Sequence, residues 1–167
     1  MLAGITYDLK DDYIAEGYSS EQAAEFDRLS TIDAIDNAIK KMGIKTERIG
    51  NVKSLIKKIA EGKRWDFVFN ICEGLYGIGR EAQVPSILDV YNIAYTFSDP
   101  LVLSLCLHKG MTKRVIRDLK IPTPDFYEIY SSEDIEKINL PFPLFAKPIA
   151  EGTSKGINAN SKITSKK

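Results

Sequence analysis

The chain has 167 residues, of which 44% are hydrophobic and 28% are charged. These values are ordinary for globular proteins and exclude disordered and fibrous classes. Lysine and arginine together number 23, as do aspartate and glutamate, so the formal net charge is zero. This balance argues against a nucleic-acid-binding protein, because polyanion binding requires a basic excess.

Neither a membrane span nor a secretory signal is predicted. No apolar run approaches the roughly 20 residues that a span needs, and the N-terminus turns acidic after one short apolar run. Cys72 and Cys106 are too few and too far apart in sequence for a zinc site or a disulfide framework. Each lies in an apolar run, so we expect reduced, buried thiols in a cytoplasmic protein with no membrane partner.

The first part of the chain alternates between strand and helix patterns. Strands are predicted at 2–8, 45–51, 65–72 and 93–98, and helices at 30–42, 52–61 and 84–92. The run 65–72 (WDFVFNIC) is almost continuously apolar, as in strands that are buried on both faces of a parallel sheet. Polar residues 9–24 read as a long loop, with or without a turn of helix, and the glycine-bearing stretch 73–83 reads as a loop. The alternation predicts a doubly wound α/β domain over residues 1–98.

A second domain is predicted to begin at residue 99. Its pattern indicates helices at 99–107, 109–120 and 131–138, and strands at 124–131 and 144–150. The remaining residues show no apolar periodicity, and two strands with one helix after residue 120 are too few for an independent core. We therefore expect residues 99–167 to be the start of a domain that this chain does not complete.

The strongest chemical signal is the stretch 144–157, LFAKPIAEGTSKGI. A predicted strand carries Lys147, whose ammonium can reach a phosphate as a compact point charge. In the loop 151–156 that follows, two glycines let the backbone fold closely, so that successive N–H groups can bind an anion. The spacing is not that of a Walker A motif. The pattern favours a phosphate-covering loop, and the alternative is a surface turn rich in small polar residues.

Two further stretches are compatible with ligand binding. The basic cluster around Lys109 indicates either a nucleotide site or a solvated helix start, and its neighbour His108, the single histidine, is predicted to be a surface residue. Glu25 precedes a predicted helix, where a carboxylate usually complements the helix dipole. The functional interpretation of Glu25 is that it binds a substrate ammonium group.

A dinucleotide-binding site is a competing interpretation. Gly77 and Gly79 begin a G-x-G-x-x-A pattern ahead of a predicted helix, and Asp99 lies near the spacing of a ribose-binding acid. Several residues separate the preceding strand from Gly77, whereas a dinucleotide-binding turn passes directly from strand to helix. The pattern is therefore weak.

Two blocks of sequence, at 93–126 and 141–157, together resemble the D-alanine–D-alanine ligases, a branch of the ATP-grasp carboxylate–amine ligases. The resemblance covers nearly the whole chain. It implies a Rossmann-like N-terminal substrate-binding domain with helices on both faces of a parallel sheet, followed by an incomplete ATP-grasp domain. It also implies a cytoplasmic enzyme of peptidoglycan precursor synthesis that uses ATP and Mg²⁺ and dimerises through its N-terminal domain.

The resemblance implies roles for residues in the second predicted domain. Lys109 and Lys147 match lysines that contact ATP, and Lys147 is expected to be catalytic. Glu151-Gly152, Thr153 and Ser154 match the loop that closes over the ATP phosphates. Thr153 takes the place of a serine that helps to hold the closed state and the first substrate, so a catalytic role is also implied for it.

The resemblance to the family is weaker at the residues that it assigns to the first substrate. Glu25 matches the glutamate that binds the ammonium of the first D-alanine, although the glycine-rich stretch that precedes this residue in the family is absent. Glu73 stands where the family has a histidine near the first substrate, and His108 stands where an aspartate precedes the ATP lysine. The first of these departures leaves the accepted D-amino acid open.

The reaction implied by the resemblance joins two D-amino acids. ATP phosphorylates the carboxylate of the first, and the amine of the second attacks the acyl phosphate. The family's magnesium-binding acidic residues and its oxyanion-stabilising arginine lie beyond the end of this sequence. We therefore expect no metal ligands here and no catalysis by the 167-residue chain alone. A non-catalytic remnant that serves as a binding module is the second alternative that stays open.

Overall fold

The computed structural model describes residues 1–165. The chain divides into two compact units, one formed by Met1–Ser104 and one that begins at Leu105. The boundary between them falls inside a helix, Pro100–Leu107. The domain boundary at residue 98 stays a prediction.

The first unit follows the predicted alternation of strands and helices. Its elements are β1 (Leu2–Tyr7), α1 (Lys10–Ala15), α2 (Leu29–Lys41), β2 (Lys45–Gly50), α3 (Val52–Ala60), β3 (Phe67–Ile71), a 3₁₀ turn (Arg80–Ala82), α4 (Gln83–Val90), β4 (Ala94–Tyr95) and α5 (Pro100–Leu107). The helix α3 begins where the Asn51 side chain accepts a hydrogen bond from the backbone N–H of Ser54, at 3.1 Å.

The four strands of the first unit form a parallel sheet in the order β2-β1-β3-β4. The chain passes from β1 to β2 on one side and then returns to place β3 on the other side of β1. The strand order therefore reverses between β1 and β3, and ligands in open α/β sheets bind in the crevice at the carboxyl ends of such a pair. This topology directs attention to the residues that follow Tyr7 and Ile71.

Both faces of the sheet are covered by helices. On one face, α3 and α4 pack Leu55, Ile59 and Leu88 against Val68 of β3. On the other face, Ile39 of α2 packs against alternate residues of β1. The predicted fold class, a parallel sheet between helices, is confirmed.

The second unit contains less regular structure. Its elements are α6 (Lys109–Asp118), α7 (Glu133–Glu136), β5 (Leu144–Phe145), a 3₁₀ turn (Ala159–Ser161) and β6 (Lys162–Ile163). The two short strands pair antiparallel, with Leu144 opposite Ile163. The chain after residue 150, in which no element was predicted, therefore supplies the partner of β5.

Several sequence-based predictions in the second unit are wrong. Residues 124–131 form no strand, and the strand predicted at 144–150 ends at Phe145. A strand needs a neighbour for its backbone N–H and C=O groups. Within residues 105–165 the only ladder is the short pair β5–β6. The apolar pattern at 124–131 has no such partner there.

Two other expectations were tested by the structure. Cys72 is buried as predicted, but Cys106 is exposed on α5, so the prediction of a buried thiol is wrong there. An apolar run in a helix contains exposed positions, because successive side chains point in different directions. Within residues 1–165, no helix has both the length and the apolar character that crossing a membrane requires.

Candidate functional site

Asp8 organises the carboxyl ends of the two central strands in the first unit. It follows β1, is 2% exposed, and accepts hydrogen bonds from the backbone N–H groups of Glu73 (3.0 Å) and Gly74 (2.9 Å). Its other carboxylate oxygen accepts from the Tyr13 hydroxyl at 2.5 Å. Asp8 therefore fixes the start of the loop that leaves β3.

Gly74 lies at the tightest point of this loop. Its φ is +69°, and a Cβ at this position would lie 2.7 Å from the carbonyl oxygen of Arg80. Both the left-handed backbone and the close approach to Arg80 require glycine. The loop thereby brings Arg80 back toward the end of β3.

A buried ion pair connects this loop to the segment that precedes α2. Arg80 Nη2 donates to both carboxylate oxygens of Glu25, at 3.1 and 2.9 Å. Both side chains are almost fully buried. The Glu25 carboxylate, predicted to bind a substrate ammonium, is thus paired with a guanidinium of the same chain.

Glu73 borders a cavity of about 220 Å³, which it shares with Glu81, Asn70 and Phe97. Burial, together with the nearby carboxylates of Glu81 and Glu25, raises the pKa of Glu73 to about 7, although Arg80 opposes the rise. A carboxyl group with such a pKa changes charge near neutral pH, which is common at functional sites.

In the second unit, the predicted ATP lysine meets the predicted phosphate loop. The Lys109 ammonium donates to the backbone carbonyl of Glu151, and the Lys109 backbone N–H donates to the carbonyl of Ile149 at 2.9 Å. The preceding His108 caps α6, with Nδ1 accepting from the N–H of Met111 at 3.2 Å. This is the same acceptor role that an aspartate plays at a helix start, so His108 substitutes for that residue chemically.

The loop 151–156 has a strained backbone. Thr153 and Ser154 have φ angles of +41° and +64°, in the left-handed region that non-glycine residues rarely adopt. The Lys155 ammonium pairs with the Glu151 carboxylate at 3.0 Å, and the Lys155 N–H donates to the Gly152 carbonyl at 2.9 Å. Two consecutive left-handed residues of this kind are typical of loops under functional constraint.

Lys147 lies just beyond β5 and not within it, so the prediction that a strand carries this lysine is wrong. Its side chain is exposed. The predicted site residues thus form two groups. Glu25 and Glu73 lie in the first unit, and the second unit contains the others, namely Lys109, Lys147, Glu151, Gly152, Thr153 and Ser154.

The features behind the dinucleotide interpretation have structural explanations. Asp99 Oδ1 accepts the backbone N–H of Val102 at 2.9 Å, which is the bond of a helix cap at the start of α5. A loop of eight residues lies between the end of β3 and the 3₁₀ turn that begins at Arg80. Gly77 and Gly79 therefore do not form the tight strand-to-helix turn of a dinucleotide site.

Sequence reasoning missed three side chains of the first unit: Asp8, Asn70 and Arg80. The available signal for Asp8 and Asn70 was position, because each lies at the carboxyl end of a predicted parallel strand. Arg80 gave no local signal, since its partner Glu25 lies 55 residues earlier. Among residues 1–165, no group of three or more histidine, cysteine, aspartate or glutamate side chains is arranged to hold a metal ion.

Comparison with known proteins places these features in a family. No protein-family model matches the chain. The D-alanine–D-alanine ligase of Aquifex aeolicus is 32% identical over 142 residues, which are 84% of this chain and 47% of that enzyme. The D-alanine–D-alanine ligase of Carboxydothermus hydrogenoformans is 32% identical over 162 residues, 89% of this chain and 48% of that enzyme.

The chain belongs to the D-alanine–D-alanine ligase family. It matches the N-terminal part and spans about half the length of the curated relatives. The fold agrees, since the crystal structure of the Bacillus anthracis ligase superposes with a TM-score of 0.69 at 24% identity, over 99% of this chain and 50% of that one. A structure of the same ligase complexed with ATP superposes with a TM-score of 0.59 at 22% identity, over 99% and 51%.

In the second unit, the Lys109 ammonium donates to the first residue of the loop 151–156. The first unit adds Arg80 as a partner for Glu25 and presents Glu73 to a cavity.

Proposed function

We propose that this chain is the N-terminal portion of an ATP-dependent ligase that joins two D-amino acids through an acyl-phosphate intermediate. In this proposal residues 1–98 bind the first D-amino acid, and the chain from residue 99 onward begins the ATP-grasp domain. D-alanine is the simplest substrate, which would place the enzyme in cytoplasmic synthesis of peptidoglycan precursors, as a homodimer through its N-terminal domain.

The observation that supports this proposal most is the hydrogen bond from the Lys109 ammonium to the Glu151 carbonyl. It joins two segments, 42 residues apart in sequence, to both of which the family resemblance assigns ATP binding. The ammonium is thereby held at Glu151, at the start of the loop that contains the left-handed residues Thr153 and Ser154. Phosphoryl transfer depends mainly on positioning and charge neutralisation, which lysines and backbone N–H groups provide.

Each residue has a proposed role in this chemistry. Lys109 and Lys147 neutralise charge on the ATP phosphates, and the loop 151–154 covers them and excludes water that would hydrolyse an acyl phosphate. Thr153 also contacts the first substrate. Mg²⁺ would add charge neutralisation, but the described residues offer no ligand group for it, so no step is assigned to the metal here.

A fusion protein tests this proposal. Residues 1–157 are joined to the second half of the Aquifex aeolicus ligase, and ADP release is measured with Mg-ATP and a mixture of D-amino acids. We expect Lys147→Ala to lower the rate on the order of 10²-fold, the scale for losing a group that stabilises transition-state charge. The control is Lys57→Ala, which removes an exposed lysine of α3 and should leave the rate unchanged.

The fold of each protein is checked by cooperative thermal unfolding. A folded Lys147→Ala fusion with an unchanged rate would remove Lys147 from the site. A folded parent fusion that releases no ADP with any D-amino acid would overturn the proposed function and favour the binding-module alternative.

A further inference from the structure

The Glu25 carboxylate is enclosed by its own chain. Arg80 Nη2 donates to both of its oxygens, at 3.1 and 2.9 Å, and the Glu25 and Arg80 side chains are only 2% and 6% exposed. A ligand that displaced Arg80 would leave a buried guanidinium without this carboxylate, which is strongly unfavourable in a protein interior. The ammonium group of a substrate therefore requires another carboxylate in the first unit.

Glu73 provides such a carboxylate at the carboxyl end of β3. It borders the cavity of about 220 Å³, whose lining residues all belong to the first unit. Asp8 accepts from the Glu73 backbone N–H at 3.0 Å, which fixes the position of the main chain. Within residues 1–165, no hydrogen bond or ion pair engages the Glu73 carboxyl group. The loop is thus anchored through its backbone, while the carboxyl group of Glu73 is available to a ligand.

The cavity suits a small molecule with an apolar part. Ligands of drug size occupy cavities of roughly 300–1,000 Å³, so this one fits a smaller molecule. Ile71, Phe97 and Leu103 give it an apolar side. Phe97 has a φ of +71°, a conformation that bulky residues rarely adopt and that concentrates at ligand sites.

Asn70 adds a buried amide to the cavity lining. Its side chain accepts through Oδ1 from the Thr6 hydroxyl at 2.9 Å and from the Cys72 N–H at 3.2 Å. These two bonds fix the orientation of the amide, because Nδ2 cannot accept from either donor. Among residues 1–165 no group accepts from Nδ2, which leaves one donor for a ligand oxygen. An amino acid has the complementary groups, namely an ammonium, a carboxylate and a short apolar side chain.

The charged groups around Glu73 favour a cation beside it. Burial, together with the carboxylates of Glu81, Glu25 and Asp27, raises the pKa of Glu73 to about 7, whereas Arg80 opposes the rise. The surroundings thus oppose a negative charge on Glu73. A ligand ammonium would favour the ionised form, because an opposite charge nearby stabilises a carboxylate.

Resting on the proposed function, we propose that Glu73, and not Glu25, binds the ammonium group of the first D-amino acid in this cavity. Glu25 then has a structural role, because its pair with Arg80 connects the loop after β3 to the segment before α2. The hydrogen bond between the substrate ammonium and Glu73 is charge-assisted, and such bonds are about twice as strong as neutral ones.

The experiment uses the chain itself and needs no catalysis. D-alanine and D-lactate are titrated separately into the ¹⁵N-labelled chain at pH 8, and the backbone amide shifts give the two dissociation constants. D-lactate carries a hydroxyl group where D-alanine carries its ammonium. We expect D-alanine to bind on the order of tenfold more tightly, the scale for one hydrogen bond to a charged group, with shifts at the N–H groups of Glu73 and Gly74.

The pH dependence distinguishes an ionised Glu73 from a protonated one. Only the ionised carboxylate pairs with an ammonium, and the pKa of Glu73 is about 7 in the folded chain. We therefore expect the preference for D-alanine over D-lactate to increase on the order of tenfold between pH 6 and pH 8. A preference that decreased over this range would mean that protonated Glu73 donates to the ligand, and the inference would be wrong.

Substitutions separate the two candidate carboxylates. Glu73→Gln keeps the side-chain shape without the charge and should abolish the preference for D-alanine, whereas Glu61→Gln, at an exposed position after α3, should preserve it. The double variant Glu25→Leu, Arg80→Met replaces the buried pair by apolar side chains, a change that folded proteins often tolerate. It should also preserve the preference. Circular dichroism checks that each variant is folded.

Three further results would overturn the inference. They are no binding of D-alanine, a preference that survives in folded Glu73→Gln, and a preference that is lost in the folded Glu25–Arg80 double variant. None of these results affects the proposed function, since ADP release by the fusion protein is measured separately. Conversely, a preference for D-alanine that depends on Glu73, in a chain whose fusion releases no ADP, would leave the binding assignment intact and refute the ligase.

Discussion

Asp8 shows how one buried residue can determine the shape of a loop. Its carboxylate accepts from the Tyr13 hydroxyl and from two backbone N–H groups, those of Glu73 and Gly74. Burial raises the pKa of Tyr13, and the hydrogen bond to Asp8 raises it further, so the tyrosine stays a donor at physiological pH. Three donors thus depend on a single acceptor.

Replacing Asp8 by alanine leaves these donors without their partner. Since each unsatisfied buried polar group costs about 1–3 kcal/mol, we expect Asp8→Ala to lower the free energy of unfolding by about 3 kcal/mol in urea denaturation. Tyr13→Phe removes one donor and keeps the ring, so it should cost about 1 kcal/mol. If Asp8→Ala were no more destabilising than Tyr13→Phe, the anchoring role of Asp8 would be wrong.

Glu73 makes stability depend on pH. Its ordinary pKa is 4.5, and burial with neighbouring carboxylates raises the pKa to about 7 in the folded chain. Between these pH values the folded protein holds a proton that the unfolded chain has lost. The stabilisation that protonated Glu73 contributes to the folded chain is therefore fully present below about pH 4.5. It decreases as the pH rises toward 7 and does not change further above that pH.

Urea denaturation at several pH values between 4.5 and 8 measures this effect against Glu73→Gln. Between these pH values we expect the free energy of unfolding of the wild-type chain to fall by about 1–2 kcal/mol relative to that of the variant. Solvent screening at a partly exposed group makes this loss smaller than the raised pKa alone would give. If the free energy of unfolding changed with pH in the same way in both proteins, folding would not raise the pKa of the Glu73 carboxyl.

At the scale of elements, Asp36 joins α2 to β2. It accepts from Thr46 at 2.5 Å and from Arg48 at 2.9 and 2.7 Å, and Lys40 also pairs with it. Burial raises the pKa of Asp36, but these hydrogen bonds outweigh burial and lower it to about 2. The stabilisation is therefore present above the ordinary pKa of 3.8 and is lost as pH falls toward 2.

A matched pair of substitutions tests this connection. Asp36→Ala removes a buried carboxylate and leaves Arg48 without its main partner, so we expect a loss of about 3 kcal/mol in urea denaturation at pH 7. Asp33 also pairs with Arg48, at 2.7 Å, but its side chain is 48% exposed. Asp33→Ala should therefore cost less than about 1 kcal/mol. Equal losses would contradict the assignment of Asp36 as the main connection.

At the scale of the whole molecule, the first unit was largely predictable from sequence. Val68, Leu55 and Ile39 belong to apolar patterns with the period of a strand or a helix, and each is buried where its pattern indicated. The second unit was less predictable. The pairing of β5 with β6 joins Leu144 to Ile163, and no local pattern encodes a partner so far along the chain.

In the candidate sites, too, some features were predictable from the local sequence and others were not. The loop 151–156 was predictable, because small residues and glycines reveal an unusual backbone locally. The Glu25–Arg80 pair and the bonds from Asp8 to Glu73 and Gly74 connect residues more than 50 positions apart, so only the fold reveals them. Asn70 lies in an apolar run, and its bond to the Thr6 hydroxyl depends on the pairing of β1 with β3.

We propose that this chain supplies the amino-acid-binding and ATP-binding parts of a D-amino acid ligase. The most direct measurement is mass spectrometry of the products that form from Mg-ATP and D-amino acids, for the fusion protein and for the 167-residue chain alone. We expect a D-amino acid dipeptide and one ADP per dipeptide from the fusion, and neither product from the chain. A folded fusion that forms no dipeptide, or a chain that forms it unaided, would show that the proposed function is wrong.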